Sequence, residues 1–246
     1  MTEDFDPSKN TLKEQEKNAL LEDFFSLNSN LEIKLLNELE EKLENYLDDY
    51  GEDERIECCL YLLDAMAAYS SGASYDEVNT IAAPIFLYLS NILSWDFYDI
   101  RLFTWCSAFA GTFGEAYQLS ERCLTEVEKH KQENLYPFIK SAVYSNLLGR
   151  LVSFKYREAT LHRTDNYQDR QAEIDAIFAS YFDGVQQYTA ITGDTAQRDV
   201  AIFQKSLYTG DLALTTEVLQ KMEKEHGHLF YETAVRLLDV YLPYLN

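Results

Sequence analysis

The chain is poor in the residues that make turns. Its 246 residues include 9 Gly and 4 Pro, well below average usage. An all-β fold needs many turn residues, so the shortage favours long helices joined by short connections. Positive charge is also scarce: 21 Lys and Arg stand against 42 Asp and Glu, a net charge of −21. Phosphate neutralisation needs clustered bases, so direct nucleic-acid binding by this chain is not expected. Docking on an anionic membrane surface is not expected either. No apolar run approaches the ~20 residues that span a bilayer, and the acidic start MTEDFDPSKN is wrong for a signal peptide. Cysteine is limited to Cys58, Cys59, Cys106 and Cys123, all within apolar helical patterns. Buried, reduced thiols in a cytoplasmic protein are the expectation. Adjacent Cys58 and Cys59 point to different faces of a helix and make no metal pair.

Catalytic motifs are missing too. There is no Gly-rich phosphate loop, no GxSxG elbow and no HExxH, and the basic–aromatic interleaving of single-strand binders is absent. The histidines, His130, His162, His226 and His228, fall near helix ends or in loops, where the helix dipole accounts for His130 and His226. His226-Gly227-His228 has metal-ligand spacing but no nearby cysteine or matching acidic motif, so no metal site is expected. Carboxylates are too abundant for any one pair to be informative. No enzymatic activity, catalytic residue or cofactor is expected.

What is present is apolar and helical. Forty-six per cent hydrophobic residues, with 18 Tyr and 14 Phe, exclude a disordered chain, and the length suffices for a substantial core. The acidity is uneven: residues 1–57 hold 18 acids and 6 bases, which reads as a solvated face. Helical spacing recurs throughout. A loose stripe covers Leu12–Leu27. In Leu31–Tyr50, the residues Leu36, Leu39, Leu43, Tyr46 and Tyr50 form a packing seam ended by Gly51. Arg55–Ser70 is apolar on most of its circumference. Ser74 with Glu77 makes a capping box for a helix to about Asn91, inside which Pro84 predicts a kink or two shorter helices. Ser94 caps the next helix, and Gly111 and Gly114 separate it from Glu115–Lys131. Tyr136–Arg157 follows, with Pro137 in its first turn. After the polar link HRTDNYQD, further helices end at Gly193 and Gly210, Asp211 caps Leu212–His226, and Leu229–Leu245 closes the chain.

Ten or eleven helices with short loops predict an all-α chain, antiparallel between neighbours. So many helices rarely fit one bundle. The natural arrangement is a right-handed α-solenoid of degenerate tetratricopeptide-like hairpins, without a strict sequence period. We divide it into an acidic segment with one helix, 1–29, and a helical-repeat domain, 30–246. The runs TGDTAQRDVAIFQKSL and TGDLALTTEVLQKM echo each other as helix starts after a Thr-Gly-Asp turn.

The most telling stretch is Ser94–Ala110, SWDFYDIRLFTWCSAFA. Between Ile56 and Glu121 its Arg101 is the only Lys or Arg. One cation in an apolar helix is either half of a structural ion pair, with Asp99, Asp96 or an acid on a neighbouring helix, or a receptor for a negative group. The concave face of a solenoid binds extended peptides through aromatics, amides and isolated charges. Candidates are Trp95, Tyr98, Arg101 and Trp105, then Tyr144, Asn146 and Arg150, where LLGRLV again sets one arginine among aliphatics. Tryptophans in such a stretch are core residues more often than ligand contacts.

The segment Tyr88–Phe103, YLSNILSWDFYDIRLF, resembles a recurring feature of the Rgg/MutR family of Gram-positive transcription regulators. That family carries a Trp, an aromatic pair, an acid and Leu-Phe, here Trp95, Phe97–Tyr98, Asp99 and Leu102–Phe103; Asp99 stands where Glu is usual. The late TGD helix start is similar as well, and the resemblance runs from about Asn30 to the C-terminus. It implies a homodimeric tetratricopeptide-like regulatory domain whose concave face receives a short signalling peptide. Family members begin with a DNA-binding helix-turn-helix domain of about 60 residues. Here only about 30 acidic residues precede the first repeat-like helix, so this chain is expected to be an excised regulatory domain or a stand-alone relative, with the initial Met favouring the latter.

The expected function is therefore a cytoplasmic peptide-sensing module in transcription regulation, as in quorum sensing. Arg101 and Arg150 would anchor carboxylates, Asn146 would clamp the peptide backbone, and Tyr98 and Tyr144 would pack on apolar residues. The alternative is an adaptor that binds a protein partner or forms mixed dimers with a full-length regulator. For either dimer the apolar surface of the last helix, Leu229, Phe230, Val235, Leu238, Tyr241 and Leu242, is the expected interface.

Overall fold

The computed structural model describes the backbone of residues 7–26, 33–158, 170–226 and 228–244, with the side chains of all these except 7–10, 33–35, 157–158, 228–230, 232–233, 240 and 244. Among the described residues there are eleven α-helices and no strand. None of these helices is long and apolar enough to cross a membrane. The link HRTDNYQD, with His162, lies outside the described residues. The chain forms two compact units, one of residues 1–102 with 109–111, the other of residues 103–108 with 112–246.

The first unit holds α1 (Pro7–Ser26), α2 (Ile33–Tyr50), α3 (Glu54–Ser70), α4 (Tyr75–Asn91) and the residues of α5 (Phe97–Cys106) up to Leu102. Helix α1 packs on α2 and α3, α2 on α3, and α3 on α4. Leu21, Phe24, Leu43, Ile56, Leu62, Phe86 and Leu89 fill the core. Of the expected α2 seam, Leu39, Leu43 and Tyr46 are buried, while Leu36 and Tyr50 are partly exposed. Asp53 caps α3 by accepting from the Arg55 and Ile56 amides, and the Ser74–Glu77 capping box opens α4.

Two corrections arise here: Pro84 does not divide its helix in two, and Ser94 does not open the next one. Helix α4 runs unbroken through Pro84. Losing one backbone bond costs roughly 3 kcal/mol, but Val78 and Ala82 before it, and Ile85, Phe86 and Leu89 after it, all bury on one continuous face. Ser94 is exposed and does not cap α5. Trp95 is buried in the connection, its Nε1 donating to the Leu89 carbonyl at 2.9 Å. The helix therefore starts later, where Asp96 Oδ1 accepts from the amides of Tyr98 and Asp99 at 2.9 and 3.1 Å.

The second unit holds the rest of α5, then α6 (Phe113–Val127), α7 (Tyr136–Ser153), α8 (Gln171–Thr192), α9 (Thr195–Thr209), α10 (Leu212–Glu225) and α11 (His228–Tyr241). Helix α7 is its hub, packing on α6, α8 and α9; α9 also meets α8, α10 and α11, and α10 meets α11. The echoing Thr-Gly-Asp runs form the same turn twice. Gly193 and Gly210 end their helices at φ of 73° and 72°, left-handed values that disfavour a Cβ. Asp194 and Asp211 then cap the next helices through the Gln197 and Leu214 amides. Helix α7 stops at Ser153 rather than continuing to Arg157, and Phe154–Glu158 form a π-helical turn. Phe154 is buried there, stacked on Phe113 at 4.8 Å. All four cysteines are buried and none forms a disulfide; burial pushes the Cys58 thiol up to about 12.

Helices α7 and α8 pack closely at Gly184, where an added Cβ would lie 2.7 Å from the Tyr144 ring. Tyr144 is itself wedged against Tyr181 and Tyr188, at 5.1 and 6.0 Å between ring centroids. Gly184→Ala is therefore expected to overpack the unit, costing about 1–3 kcal/mol despite the better helix propensity of alanine. Thermal unfolding followed by circular dichroism would show a midpoint lower by several degrees.

Candidate functional site

The expected peptide-binding residues divide between the units, Tyr98 and Arg101 in the first and Tyr144, Asn146 and Arg150 in the second. Arg101 is an ion-pair partner of a neighbouring helix. Its Nη1 lies 3.1 Å from Glu22 Oε2, its Nη2 donates to the Phe25 carbonyl at 3.1 Å, and its guanidinium sits 4.6 Å from the centre of the Phe25 ring. Tyr98 stacks on the same Phe25. Both side chains thus hold α1 on the first unit.

Asp99 and Asp96 have a different cation, Arg55, from just outside the base-free stretch. Asp99 is 1% exposed and accepts from Arg55 Nε and Nη2 at 3.1 Å each, Tyr88 Oη at 2.9 Å and the Asp96 amide at 3.0 Å. Asp96 Oδ2 lies 2.9 Å from Arg55 Nη2. Burial works to lower the Arg55 pKa, but the Asp99 carboxylate and the Tyr88 hydroxyl outweigh it, and the net shift is upward. The Trp95–Asp99 motif is in this way a junction of α3, α4 and α5.

On α7, Asn146 Nδ2 donates to the Thr104 carbonyl at 2.9 Å and to Ser107 Oγ at 2.8 Å, so its amide protons are already engaged within the unit. Arg150 is 3% exposed. Trp105 is half-buried. Of the expected dimer surface, Tyr241 is buried against Tyr156, Val235 and Leu238 are half-buried, and Leu242 is exposed. The side chains of Leu229 and Phe230 lie outside the described residues.

Accessible volume with mixed chemistry occurs elsewhere. A cleft of about 500 Å³ in the second unit is lined by α8, α9 and the π-turn after α7. Phe178 stacks on Tyr208 at 4.0 Å and 14°, and Phe182 lies under Lys205, whose Nζ is 4.5 Å from the ring centre. Lys155 donates to the Tyr208 carbonyl and sits 4.5 Å from that ring centre, while Tyr208 Oη donates to Asp175 at 2.5 Å. Burial lowers the Lys155 pKa, and Asp175 offsets part of the drop. Such a cleft offers stacking surface, two cations and, with Asp183, two carboxylates that orient a bound group. Sequence reading missed Lys155 and Lys205. The only local signal was Phe154-Lys155-Tyr156, where a cation sits between aromatics.

No family model, curated protein or solved structure matches this chain.

Two further clusters hold charge. Asp199, Glu225 and His226 bring potential metal-ligand atoms within 4.8 Å. Lys221 Nζ, however, lies 2.7 Å from Asp199 and His226 Nε2 also 2.7 Å from it. An ammonium therefore occupies the place a cation would take, and His226 has a specific carboxylate partner beyond its position at the end of α10. Lys140, nearly buried, lies 5.7–5.8 Å from the ring centres of Tyr136, Tyr144 and Tyr188 and pairs with Glu128 at 2.6 Å. Lys131 and Lys140 hold the Glu128 carboxyl down to about 2, against the usual 4.5. A carboxyl lowered by folding stabilises the fold above its unfolded pKa and loses that contribution as pH falls. Glu128 is 37% exposed, so solvent screening keeps the effect small. Glu128→Gln is expected to lower the thermal midpoint by a few degrees at pH 7, with the gap to the unmodified chain closing between about pH 4.5 and 2. Melting curves at stepped pH would show it.

Proposed function

We propose that the chain is a peptide-binding regulatory module and that the cleft of the second unit is its receptor. The reading rests on one observation: in a chain of net charge −21, Lys155 and Lys205 converge with Phe178, Phe182 and Tyr208 on about 500 Å³ of open volume. A cleft of that size falls in the range that holds a small ligand or part of a peptide. A partly desolvated ammonium binds carboxylate by a charge-assisted hydrogen bond, while the rings take an adjacent apolar residue. The ligand class that fits is a short apolar peptide bearing a free C-terminal carboxylate or an acidic side chain.

The packing within each unit supports the stacked-hairpin reading. Neighbouring helices pack from α1 to α4 and from α6 to α11, and α1–α3, α7–α9 and α9–α11 also meet the next but one, a pattern in keeping with stacked antiparallel hairpins. The resemblance of Tyr88–Phe103 to the Rgg/MutR regulators supports a sensor role and a homodimer. A peptide would act by stabilising one arrangement of the helices through its differential affinity. With Arg101 and Asn146 engaged inside their own units, the anchoring role passes to Lys205, while Lys155, held by the Tyr208 carbonyl, adds positive charge at the cleft wall.

Fluorescence anisotropy with labelled apolar heptapeptides, each with a free and an amidated C-terminus, tests this. The free carboxylate is expected to bind about tenfold more tightly, and Lys205→Met to remove that preference. Equal binding of both forms, or no effect of Lys205→Met, excludes the cleft as receptor.

A further inference from the structure

The surroundings of Lys155 suit a nucleophilic amine. The π-turn after α7 sets its Nζ near two rings, 4.5 Å from the centre of Tyr208 and 5.3 Å from that of Tyr156. It donates to the Tyr208 carbonyl, a neutral group that Tyr156 Oη also approaches at 3.4 Å. Lys155 is at the same time part of the lining of the cleft of about 500 Å³. Partial burial takes water from the nitrogen, which works against the ammonium, and the pKa falls. The charged groups that share the lining are Asp175 and Asp183 of α8 and Lys205 of α9, and Asp175 restores only part of the fall.

An ordinary lysine at pH 7 is neutral in roughly one molecule in 2,500, and any lowering of its pKa raises that share. The neutral amine still donates an N–H to the Tyr208 carbonyl and keeps its lone pair for a new bond. Groups that can move a proton stand in the same lining: Tyr208 Oη donates to Asp175 Oδ1 at 2.5 Å. Lys205, with its Nζ 4.5 Å from the Phe182 ring centre, adds a cation over an aromatic surface. The cleft thus brings together an amine of lowered basicity, a carboxylate–phenol pair, aromatic walls and a second cation.

We propose that Lys155 is a covalent attachment site for small aldehydes that carry a flat apolar body and an anionic group. The amine adds to the aldehyde carbon, so that a C–N bond forms while the carbonyl π pair moves to oxygen, which takes up a proton. Asp175 receives the proton that the nitrogen sheds. The hydroxyl of the resulting carbinolamine leaves as water on protonation by the Asp175–Tyr208 pair, and the nitrogen lone pair closes the C=N bond. Amine and aldehyde give imine and water, with no oxidant or reductant consumed. The apolar body meets Phe178 and Phe182, and the anion meets Lys205. The site shares its cleft with the proposed peptide receptor but requires no peptide, and an adduct there takes up volume that a peptide would use.

The test treats the full chain at neutral pH with 4-carboxybenzaldehyde and cyanoborohydride, which reduces an imine to a stable amine, and locates labelled lysines by peptide mass spectrometry. Lys155 is expected to label several-fold faster than the exposed Lys129 and Lys224. Raising the pH should narrow that lead, because the exposed amines then lose their protons too. Benzaldehyde, which lacks the carboxylate, should label Lys155 more slowly. Lys155→Arg, which keeps the charge, should abolish the fast labelling, and Asp175→Asn should slow it several-fold, with circular dichroism checking both folds. Labelling of Lys155 no faster than that of Lys129 and Lys224 in the unaltered chain, or fast labelling that survives Lys155→Arg, overturns the proposal. Fast labelling of Lys155 beside equal binding of free and amidated heptapeptides keeps the covalent site and removes the peptide receptor, whereas the reverse pattern removes the covalent site alone.

Discussion

The first unit depends on a buried carboxylate with nearly all its hydrogen-bonding capacity used. Asp99 receives a bidentate Arg55 from α3, the Tyr88 hydroxyl from α4 and the Asp96 amide at the start of its own helix. An isolated charge at that depth would cost several kcal/mol, so the three helices are held to the arrangement that brings these donors together. Trp95 closes the same junction by reaching back to Leu89. Arg101, one turn beyond Phe97–Tyr98, then fastens α1 through Glu22 and Phe25. The aromatic and acidic residues that make this stretch conspicuous are therefore spent on joining helices.

The second unit solves a different problem. Its hub, α7, buries Lys140, Ser141, Ser145, Arg150 and Ser153 along with its aliphatics, an unusually polar interior for a central helix. Part of that polarity is neutralised by a tyrosine cluster: Lys140 is surrounded by three rings and paired with Glu128, and Tyr144 fills the space over Gly184. Part of it holds the chain from α5, through Asn146. Where α7 gives out, the π-turn carries Lys155 sideways into the cleft with α8 and α9. Such π-turns often mark functional positions because they redirect a side chain that a regular helix would place elsewhere.

Charge gives the functional reading its logic. With twice as many acids as bases, every buried or half-buried cation is conspicuous, and most are consumed by internal pairs. The cleft of the second unit is unusual in setting two lysines at the wall of an open volume. That chemistry suits a ligand with a carboxylate. The scarcity of bases thus makes this place chemically distinct.

Much of the fold was legible along the chain. Few Gly and Pro, helical spacing, the Ser74–Glu77 box and the two Thr-Gly-Asp turns are local features, and local hydrogen bonds and backbone dihedrals settle them wherever the chain goes. The sequence by itself therefore determined the all-α class, most helix ends and the buried cysteines. The continuity of α4 through Pro84, the delayed start of α5 and the π-turn after Ser153 were decided only by tertiary structure, because packing across the chain outweighed a local preference of a few kcal/mol. The partner of Arg101 was decided there too. The sequence left open Asp99, Asp96 or an acid on a neighbouring helix; Arg55 takes both aspartates, and Glu22 of α1, 79 residues away, pairs with Arg101. A binding surface is assembled from residues distant in sequence, so the pairing of Lys155 with Lys205 left no mark that periodicity or motif could detect.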